Sequence, residues 1–336
     1  MSATPPPSRP LTWVVGAGGL VGRHVVAACR AAGHEVATST VPWGDEEASV
    51  RALATDVARF TAGRHHRPWA LAWCAGAGVV ATGEDALAAE VRVFARTLGT
   101  LAASMGPDAG DGVVFLASSA GGLYAGSSPA PFDEASEPAP LVAYGRAKLA
   151  MEDEVRALAA ATGIRAVLGR LANVYGPGQT LGKPQGLLSQ LCLADATGRP
   201  LPVFVSMDTI RDYLYAADAG RMVERAVALA REEAAGTVVV KVLASGRPVT
   251  VGYLVSEARR VFHRPLRTIP VGGAARGQVL DLRLESSVWP QVDALAATPL
   301  AAGLAQTAAD VRARVVLGRR DLPFGSSVFL AATRRG

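Results

Sequence analysis

Tyr144 and Lys148 are the residues of this chain whose types and spacing most directly suggest chemistry. They lie four positions apart in VAYGRAKLAMEDE, residues 142–154, a segment rich in good helix formers. Residues four apart share one face of a helix, so the phenol and the ammonium are expected to lie side by side. A free tyrosine, whose pKa is about 10, is a poor acid or base at neutral pH, but a cation beside it favours the phenolate. The pair is a candidate general acid/base, although the same spacing arises by chance on many helices.

Two serines follow an apolar segment that precedes this tyrosine. Ser118 and Ser119 come at the end of GVVFLAS, residues 112–118, which is typical of a buried strand. In an open parallel sheet, ligands bind at the carboxyl ends of the strands. The two hydroxyls either belong to an ordinary loop or bind a substrate oxygen beside Tyr144.

A glycine-rich turn opens the chain. The apolar run LTWVV, residues 11–15, leads into GAGGLVG and then into a helical pattern. Gly16, Gly19 and Gly22 have a GxxGxxG spacing, whereas the GxGxxG form fails because Val21 occupies its last position. Such glycines let backbone N–H groups approach a pyrophosphate and let the helix pack closely on the strand. The position of this turn after a first strand favours dinucleotide binding.

The second predicted strand, HEVATST at residues 34–40, leaves the choice of dinucleotide open. Asp or Glu at this strand end binds the ribose 2′-hydroxyl of NAD, and a following Arg accommodates the 2′-phosphate of NADP. Here the strand ends on Ser39 and Thr40, and no arginine follows directly. Asp45 and Glu46 come next, and they either contact the adenosine or complement the dipole of the following helix.

The segments around these motifs alternate between strands and helices. This alternation predicts an α/β fold with a Rossmann-type doubly wound parallel sheet and a smaller C-terminal substrate-binding part. We expect a disordered lead-in at 1–10, a dinucleotide-binding domain at 11–175 and a mainly substrate-binding part at 176–336, with some segments returning to the first domain. The strands, turns and helices of the first domain, besides those above, are predicted at 69–74 (WALAWC), 75–78 (AGAG), 84–104 and 164–179.

Composition excludes membrane and secreted classes. The 336 residues are 50% hydrophobic and 19% charged, which is enough to bury a large core. No run of about 18 uninterrupted apolar residues could span a bilayer. MSATPPPSRP at the start has no apolar signal-peptide core, so we expect a cytoplasmic protein.

Charge and metal-binding residue types exclude two further classes. The net charge of +5 is spread along the chain and forms no stripe for nucleic acid. Cys29, Cys74 and Cys192 are widely separated and fit buried thiols in a reducing compartment, with no metal-binding spacing. His65 and His66, in RHHRP, fit a solvated loop better than a metal site.

Taken together, five motifs resemble one family. GAGGLVG, SSAGGLY, YGRAK, RLANVYGPG and IRDYLYAAD occur in this order. This order resembles the extended short-chain dehydrogenase/reductases, in particular the NAD-dependent epimerase/dehydratase family. The likeness spans about residues 11–260, and it implies a Rossmann fold that binds NAD or NADP, with NAD favoured by the family, and a nucleotide-sugar substrate.

The resemblance also implies roles for individual residues. Tyr144 becomes the catalytic acid/base, Lys148 binds the nicotinamide ribose and supports the phenolate, and Ser119, 25 positions before Tyr144, binds the reacting sugar oxygen. The implied cofactor-binding residues are Gly16, Gly19, Leu20, Gly22, Ala75, Gly76, Lys148 and Leu171. The implied substrate-binding residues are Ser118, Ser119, Asn173, Phe204 and Arg211.

Three of the substrate residues have more specific implied roles. The resemblance assigns Asn173 to the substrate pyrophosphate, Phe204 to the nucleobase and Arg211 to a phosphate. A guanidinium suits a phosphate because it offers a charge-assisted, potentially bidentate grip. The alternative for Arg211 is a surface ion pair with Asp212 or Asp208.

One departure from the family narrows the expected reaction. Dehydratases of the family carry Asp and Glu after the serine strand, whereas this chain has Ala120, Gly121 and Gly122, which cannot exchange protons. We therefore expect no dehydratase, but a sugar epimerase acting at C4 or, alternatively, an NADPH-dependent keto-sugar reductase. A non-catalytic dinucleotide sensor is a third possibility. The resemblance further implies a homodimer paired through the Tyr144 helix and its neighbour.

Overall fold

The structure is a computed structural model that describes residues 9–64, 67–76, 83–181, 186–271 and 279–318. The predicted metal-free loop around His65 and His66, most of the lead-in and part of the second glycine turn lie outside the described residues.

A six-stranded parallel sheet forms the centre of the molecule. Its strand order is β10-β5-β4-β3-β1-β2, and all neighbouring strands run parallel. β1 and β3 are buried over their whole length, as expected for strands covered by helices on both faces. The strands are β1 (Leu11–Val15), β2 (Glu35–Thr38), β3 (Trp69–Trp73), β4 (Gly112–Ser119), β5 (Arg165–Leu171) and β10 (Val238–Leu243).

Helices cover both faces of this sheet, so the predicted Rossmann-type fold is confirmed. One face packs against α2, α3 and α5, and the other packs against α1 and α7. Each helix places an apolar stripe on the sheet, such as Leu53, Val57 and Phe60 of α2. The helices are α1 (Leu20–Ala31), α2 (Glu46–Gly63), α3 (Glu84–Met105), α5 (Ala143–Thr162) and α7 (Ala216–Ala230). A single turn of helix, α4 (Ala120–Leu123), connects the end of β4 to the segment before α5.

The rest of the described chain forms a smaller layer beside the carboxyl ends of the strands. Three helices share a core that includes Leu191, Leu254 and Leu304, all of them fully buried. These helices are α6 (Leu187–Thr197), α8 (Val251–Phe262) and α10 (Leu300–Val316). Short strands and one short helix complete the layer: β6 (Asn173–Tyr175), β7 (Leu201–Val203), β8 (Ile210–Arg211), β9 (Tyr213–Tyr215), β11 (Val249–Thr250), β12 (Thr268–Pro270), β13 (Asp281–Leu282) and α9 (Pro290–Asp293).

The chain crosses between the two layers more than once. α7 and β10 come after residue 176 but belong to the central sheet and its helical cover. The segment after β13 also returns, because the buried ammonium of Lys241 in β10 lies 2.6 Å from the Asp293 carboxylate. The described residues after 176 therefore belong partly to the central sheet and partly to the second layer. The carboxyl edge of the completed sheet positions the candidate site.

Candidate active site

The glycine turn after β1 lies against the end of β3. Gly16 has φ = +86°, and a Cβ built on it would lie 2.5 Å from the backbone nitrogen of Ala75. A Cβ on Gly22 would overlap the carbonyl oxygen of Gly16. Glycine is required at both positions because the turn, helix α1 and the β3 end approach at backbone distance. Gly16, Gly22 and Ala75 thus meet at one edge of the sheet.

The N-terminus of α1 is built to receive an anion. Its N-cap is Gly19, which makes no side-chain cap hydrogen bond, and the first turn, beginning at Leu20, carries no acid. By contrast, α2 is capped by Asp45, which accepts a hydrogen bond from the Ala48 backbone N–H at 2.9 Å. The free first-turn N–H groups of α1 and its positive dipole end fit the pyrophosphate of a dinucleotide. Asp45 instead satisfies its own helix, the second of the two alternatives weighed for it.

The end of β2 carries neutral side chains that are already oriented. The Ser39 hydroxyl accepts a hydrogen bond from the Trp13 indole at 2.8 Å, and Thr40 is exposed. Glu46, the nearby acid, makes two hydrogen bonds with Arg92. The described residues at this edge therefore offer neither a carboxylate to the 2′-hydroxyl nor an unpaired arginine to a 2′-phosphate, and the choice of dinucleotide stays open.

Ser119 and Tyr144 are brought together across Gly122. A Cβ on Gly122 would lie 3.0 Å from Cε1 of Tyr144 and 3.3 Å from the Ser119 hydroxyl oxygen. The same hydroxyl accepts a hydrogen bond from the Gly122 N–H at 3.1 Å and so caps α4. Gly145 lets α5 approach α4, because a Cβ there would overlap the Gly122 carbonyl oxygen. Gly122 and Gly145 thus let the start of α5, which carries Tyr144, pack closely against α4 and its capping Ser119.

Lys148 lies one turn further along α5. Its ammonium nitrogen is 5.9 Å from the centre of the Tyr144 ring, so the predicted phenol–ammonium pair is present on one helix face. The ammonium also pairs with the carboxylate of Glu90 on α3 at 3.3 Å. Sequence reasoning missed Glu90, and the signal for it was a carboxylate on the apolar stripe of α3, between Leu87 and Phe94.

Ser118 has a different environment from its neighbour. Successive strand residues point to opposite faces, and Ser118 points to the α5 side of the sheet. Its buried hydroxyl donates to the Glu152 carboxylate at 2.7 Å, and Arg170 binds the same carboxylate at 2.8 and 3.1 Å. The substrate role predicted for Ser118 gains no support from this geometry, because the hydroxyl already serves the core.

The remaining cofactor-side residues line the same edge. Leu171 is buried at the end of β5, where it pairs with Ser119 of β4. Gly76 is exposed just after β3, and a Cβ on it would lie 3.3 Å from both the Lys148 nitrogen and a Glu90 oxygen. Gly76 therefore lies against the Lys148–Glu90 pair at the end of β3.

Arg211 and Asn173 lie on short strands of the second layer. The Arg211 guanidinium donates to the carbonyl oxygens of Ile210 at 2.7 Å and Val279 at 2.8 Å, and burial lowers its pKa from the usual value. The ion-pair alternative for Arg211 is absent from the described residues. Asp212 instead accepts two hydrogen bonds from Ser245 at 2.7 and 2.9 Å.

Asn173 and Phe204 complete the predicted substrate set. Asn173 is exposed, and its amide donates to the Asp212 carbonyl oxygen at 3.0 Å. Phe204 follows β7 and is half-buried. Among the described residues, no group of three His, Cys, Asp or Glu side chains could hold a metal ion, and no helix is long and apolar enough to cross a membrane.

Comparison with known proteins decides the family. The model of the NAD dependent epimerase/dehydratase family matches residues 12–240, which is most of the chain. The chain belongs to this family. The family and the cofactor class predicted from sequence, NAD or NADP, are thereby confirmed, while the reaction within the epimerase/dehydratase family is a separate question.

Three proteins that the chain resembles, two of them solved structures, have different names and bound molecules. A UDP-glucose 4-epimerase from Thermotoga maritima, solved with UDP-glucose, has a TM-score of 0.73 and 21% identity over 91% of this chain and 99% of that one. RMD from Pseudomonas aeruginosa, solved with NADPH, has a TM-score of 0.70 and 20% identity over 91% and 98%. The dTDP-4-dehydro-6-deoxyglucose reductase of Escherichia coli is 30% identical over 105 residues, 31% of this chain and only 33% of the reductase.

Proposed function

We propose that this protein transfers a hydride at a sugar carbon of a nucleotide-activated sugar, at C4, and acts as an epimerase. The observation that carries the proposal is the convergence of Ser119 and Tyr144 on Gly122, with Lys148 one turn along the same helix. Oxidation of a secondary alcohol requires a base for the hydroxyl proton and a donor that orients the oxygen, and these side chains can supply both. The family and the fold support the same reading.

The chain's own residues handle the proton of this reaction. The bound nicotinamide dinucleotide supplies the acceptor for the hydride. Ser119 donates a hydrogen bond that orients the sugar oxygen, and the Tyr144 phenolate takes the hydroxyl proton as the C–H bond breaks. Lys148 supports the phenolate by its positive charge and binds the adjacent ribose. In an epimerisation the keto sugar would then present its opposite face, and Tyr144 would return the proton to its oxygen as the carbon is reduced with inverted configuration.

Residues of the second layer bind the nucleotide part of the substrate. A guanidinium has five N–H donors, and Arg211 uses part of them on carbonyl groups while its charge has no ion-pair partner among the described residues. The remaining donors suit a phosphate of the nucleotide. Asn173 is exposed on β6 and is proposed to contact the same diphosphate, with Phe204 packing on the base.

The end of β4 limits the reaction to one proton and one hydride. Elimination of water needs an acid and a base besides Tyr144, and the three positions after Ser119 are the non-titratable Ala120, Gly121 and Gly122. Position 122 must also remain a glycine, because the Cβ of any other residue would lie 3.0 Å from Cε1 of the Tyr144 ring. We therefore propose epimerisation and not dehydration.

A second candidate is an NADPH-dependent keto-sugar reductase. Two observations favour it: the neutral end of β2 at Ser39 and Thr40, and the 30% identity to a reductase over part of the chain. The same three residues serve this reaction in the opposite direction, with Tyr144 giving its proton to the keto oxygen.

The released cofactor distinguishes the two reactions. The purified protein is denatured, and the dinucleotide in the supernatant is identified by chromatography. Tightly held NAD supports the epimerase, which must keep its cofactor through a cycle, and interconversion of C4 epimers without added cofactor is the matching activity. An empty site with affinity for NADPH, together with stoichiometric consumption of NADPH by a 4-keto sugar nucleotide, replaces the epimerase with the reductase. Failure to bind any dinucleotide contradicts both.

A further inference from the structure

Glu90 is the one carboxylate on the buried stripe of α3. The neighbouring positions of this stripe, Leu87, Phe94, Leu98 and Leu101, are apolar and almost fully buried. The Glu90 side chain is only 11% exposed. Burial of a carboxylate among such residues is costly unless a partner of opposite charge compensates it. Its position therefore calls for a reason beyond packing.

The partner is the lysine of the candidate active site. The Lys148 ammonium, whose side chain is 6% exposed, lies 3.3 Å from the Glu90 carboxylate, and it also lies 3.8 Å from the Met151 sulfur and 5.9 Å from the centre of the Tyr144 ring. The exposed Gly76 lies against this pair, since a Cβ there would be 3.3 Å from both charged groups. The ion pair lies beneath the carboxyl end of β3, beside the dinucleotide cradle.

We propose that Glu90 is a positioning residue that balances the charge of Lys148 and thereby sets the preference of the site for oxidised over reduced dinucleotide. This inference rests on the proposed function, because it takes Lys148 to bind the nicotinamide ribose. It adds a residue from a separate helix, 58 positions before the lysine in the chain, to the group that governs the cofactor.

Charge is the physical basis of this preference. The nicotinamide ring carries a positive charge when it is oxidised and none when it is reduced. A bare ammonium one ribose away repels the oxidised ring, and a carboxylate 3.3 Å from that ammonium largely cancels the repulsion. For a unit charge at about 8 Å and an effective dielectric constant of about 20, the oxidised form is disfavoured roughly ten- to thirtyfold when the carboxylate is lost.

The test removes the negative charge of Glu90 and keeps the size and shape of the side chain. Dissociation constants for NAD⁺ and NADH, and for NADP⁺ and NADPH, are measured for the full chain and for Glu90→Gln by titration calorimetry at low ionic strength. We expect the ratio of the oxidised to the reduced constant to rise roughly tenfold in Glu90→Gln. The rise should shrink at high salt. Glu90→Asp, which keeps the charge, should restore most of the original ratio.

Glu84 provides a matched control on the same helix. It also pairs with a base of α5, since its carboxylate lies 2.9 Å from Arg146, but this pair is exposed. Glu84→Gln removes an α3–α5 ion pair that is exposed to solvent, where screening weakens any effect on a bound dinucleotide, and we expect little change in the ratio. The double variant Glu90→Gln, Lys148→Met removes both charges and should return the ratio toward that of the parent chain even though both constants weaken.

The outcomes separate this inference from the proposed function. If the parent chain binds no dinucleotide, both are overturned. If the parent binds and Glu90→Gln weakens the oxidised and reduced forms by the same factor, Glu90 is only structural and this inference alone is overturned. If Glu90→Gln does not fold, the double variant decides: a ratio equal to or below that of Lys148→Met with Glu90 intact overturns the charge-balancing role, and a higher ratio supports it.

Discussion

Two buried ion pairs lie one turn apart on the same face of α5, and their surroundings differ. Glu152 is fully buried and receives hydrogen bonds from Arg170 and Ser118 at 2.7 to 3.1 Å. Arg170 also donates to the Tyr124 hydroxyl at 2.7 Å. Among the described residues, the carboxylate partner of Lys148 is Glu90 alone, at the longer distance of 3.3 Å.

The difference shows how one helix serves two purposes. At the Glu152 end, several donors fix the carboxylate, so the charge is satisfied within the core and ties α5 to β4 and β5. At the Lys148 end, the ammonium lies under Gly76 at the cleft and retains donors for another ligand. Tyr144, Lys148 and Glu152 are spaced by four residues, so α5 carries the proposed reactive groups in its first turns and their anchor near its middle.

Removal of the phenol at the reactive end should have the largest effect on activity. We expect Tyr144→Phe to lower kcat by about 10³- to 10⁴-fold, because the general acid/base is lost, and to leave the dinucleotide dissociation constant nearly unchanged. Steady-state kinetics and calorimetry check the two parts. Tyr124→Phe, at the anchored end, is the control and should change stability more than it changes kcat. Turnover of Tyr144→Phe at the parent rate would rule out the mechanism.

Loss of the anchor should instead appear as loss of stability. We expect Arg170→Met to lower the free energy of unfolding by about 3 kcal/mol, because the buried Glu152 is left with only Arg156, at 3.9 Å, as a cation. Urea denaturation followed by circular dichroism measures this change. Arg146→Met, which breaks the exposed pair with Glu84, is the matched control and should change the free energy little. Equal effects of the two substitutions would contradict the distinction between the pairs.

Arg211 is another guanidinium to compare with Arg170, but it forms no ion pair with a carboxylate among the described residues. Where Arg170 is neutralised by Glu152, Arg211 is held by carbonyl oxygens, and we propose that its charge serves a phosphate of the substrate. We expect Arg211→Ala to raise KM for the nucleotide sugar by a factor equivalent to about 1.5–3 kcal/mol, with a smaller change in kcat. Arg247→Ala, which also removes a guanidinium bound to backbone carbonyls, is the control. An unchanged KM in Arg211→Ala would exclude the phosphate contact.

The sequence predicted the sheet and the shared helix face of Tyr144 and Lys148 because both depend on local patterns. The apolar runs of β1 and β3, the glycines 16, 19 and 22, and the four-residue spacing of Tyr144 and Lys148 can be read within a few positions. The predicted strand at 34–40 ends earlier, at Thr38. Contacts between residues distant in the chain could not be predicted in this way. Glu90 contacts Lys148, which lies 58 positions later, and Ser118 contacts Glu152, which lies 34 positions later.

Ser118 and Ser119 allow the same comparison between a structural and a reactive group at two adjacent positions. They face opposite sides of β4, and Ser119 also caps α4. Ser118→Ala should lower the free energy of unfolding by about 1.5 kcal/mol, because Glu152 loses a buried donor, and should leave kcat/KM nearly unchanged. Ser119→Ala should lower kcat/KM by roughly ten- to a hundredfold, because the sugar oxygen loses its orienting donor, and should cost about 1 kcal/mol of stability through loss of the α4 cap. Denaturation curves and steady-state kinetics on both variants measure the two effects. If Ser118→Ala loses activity and Ser119→Ala loses only stability, the roles of the two serines are exchanged and the assignment of Ser119 to the sugar oxygen is wrong.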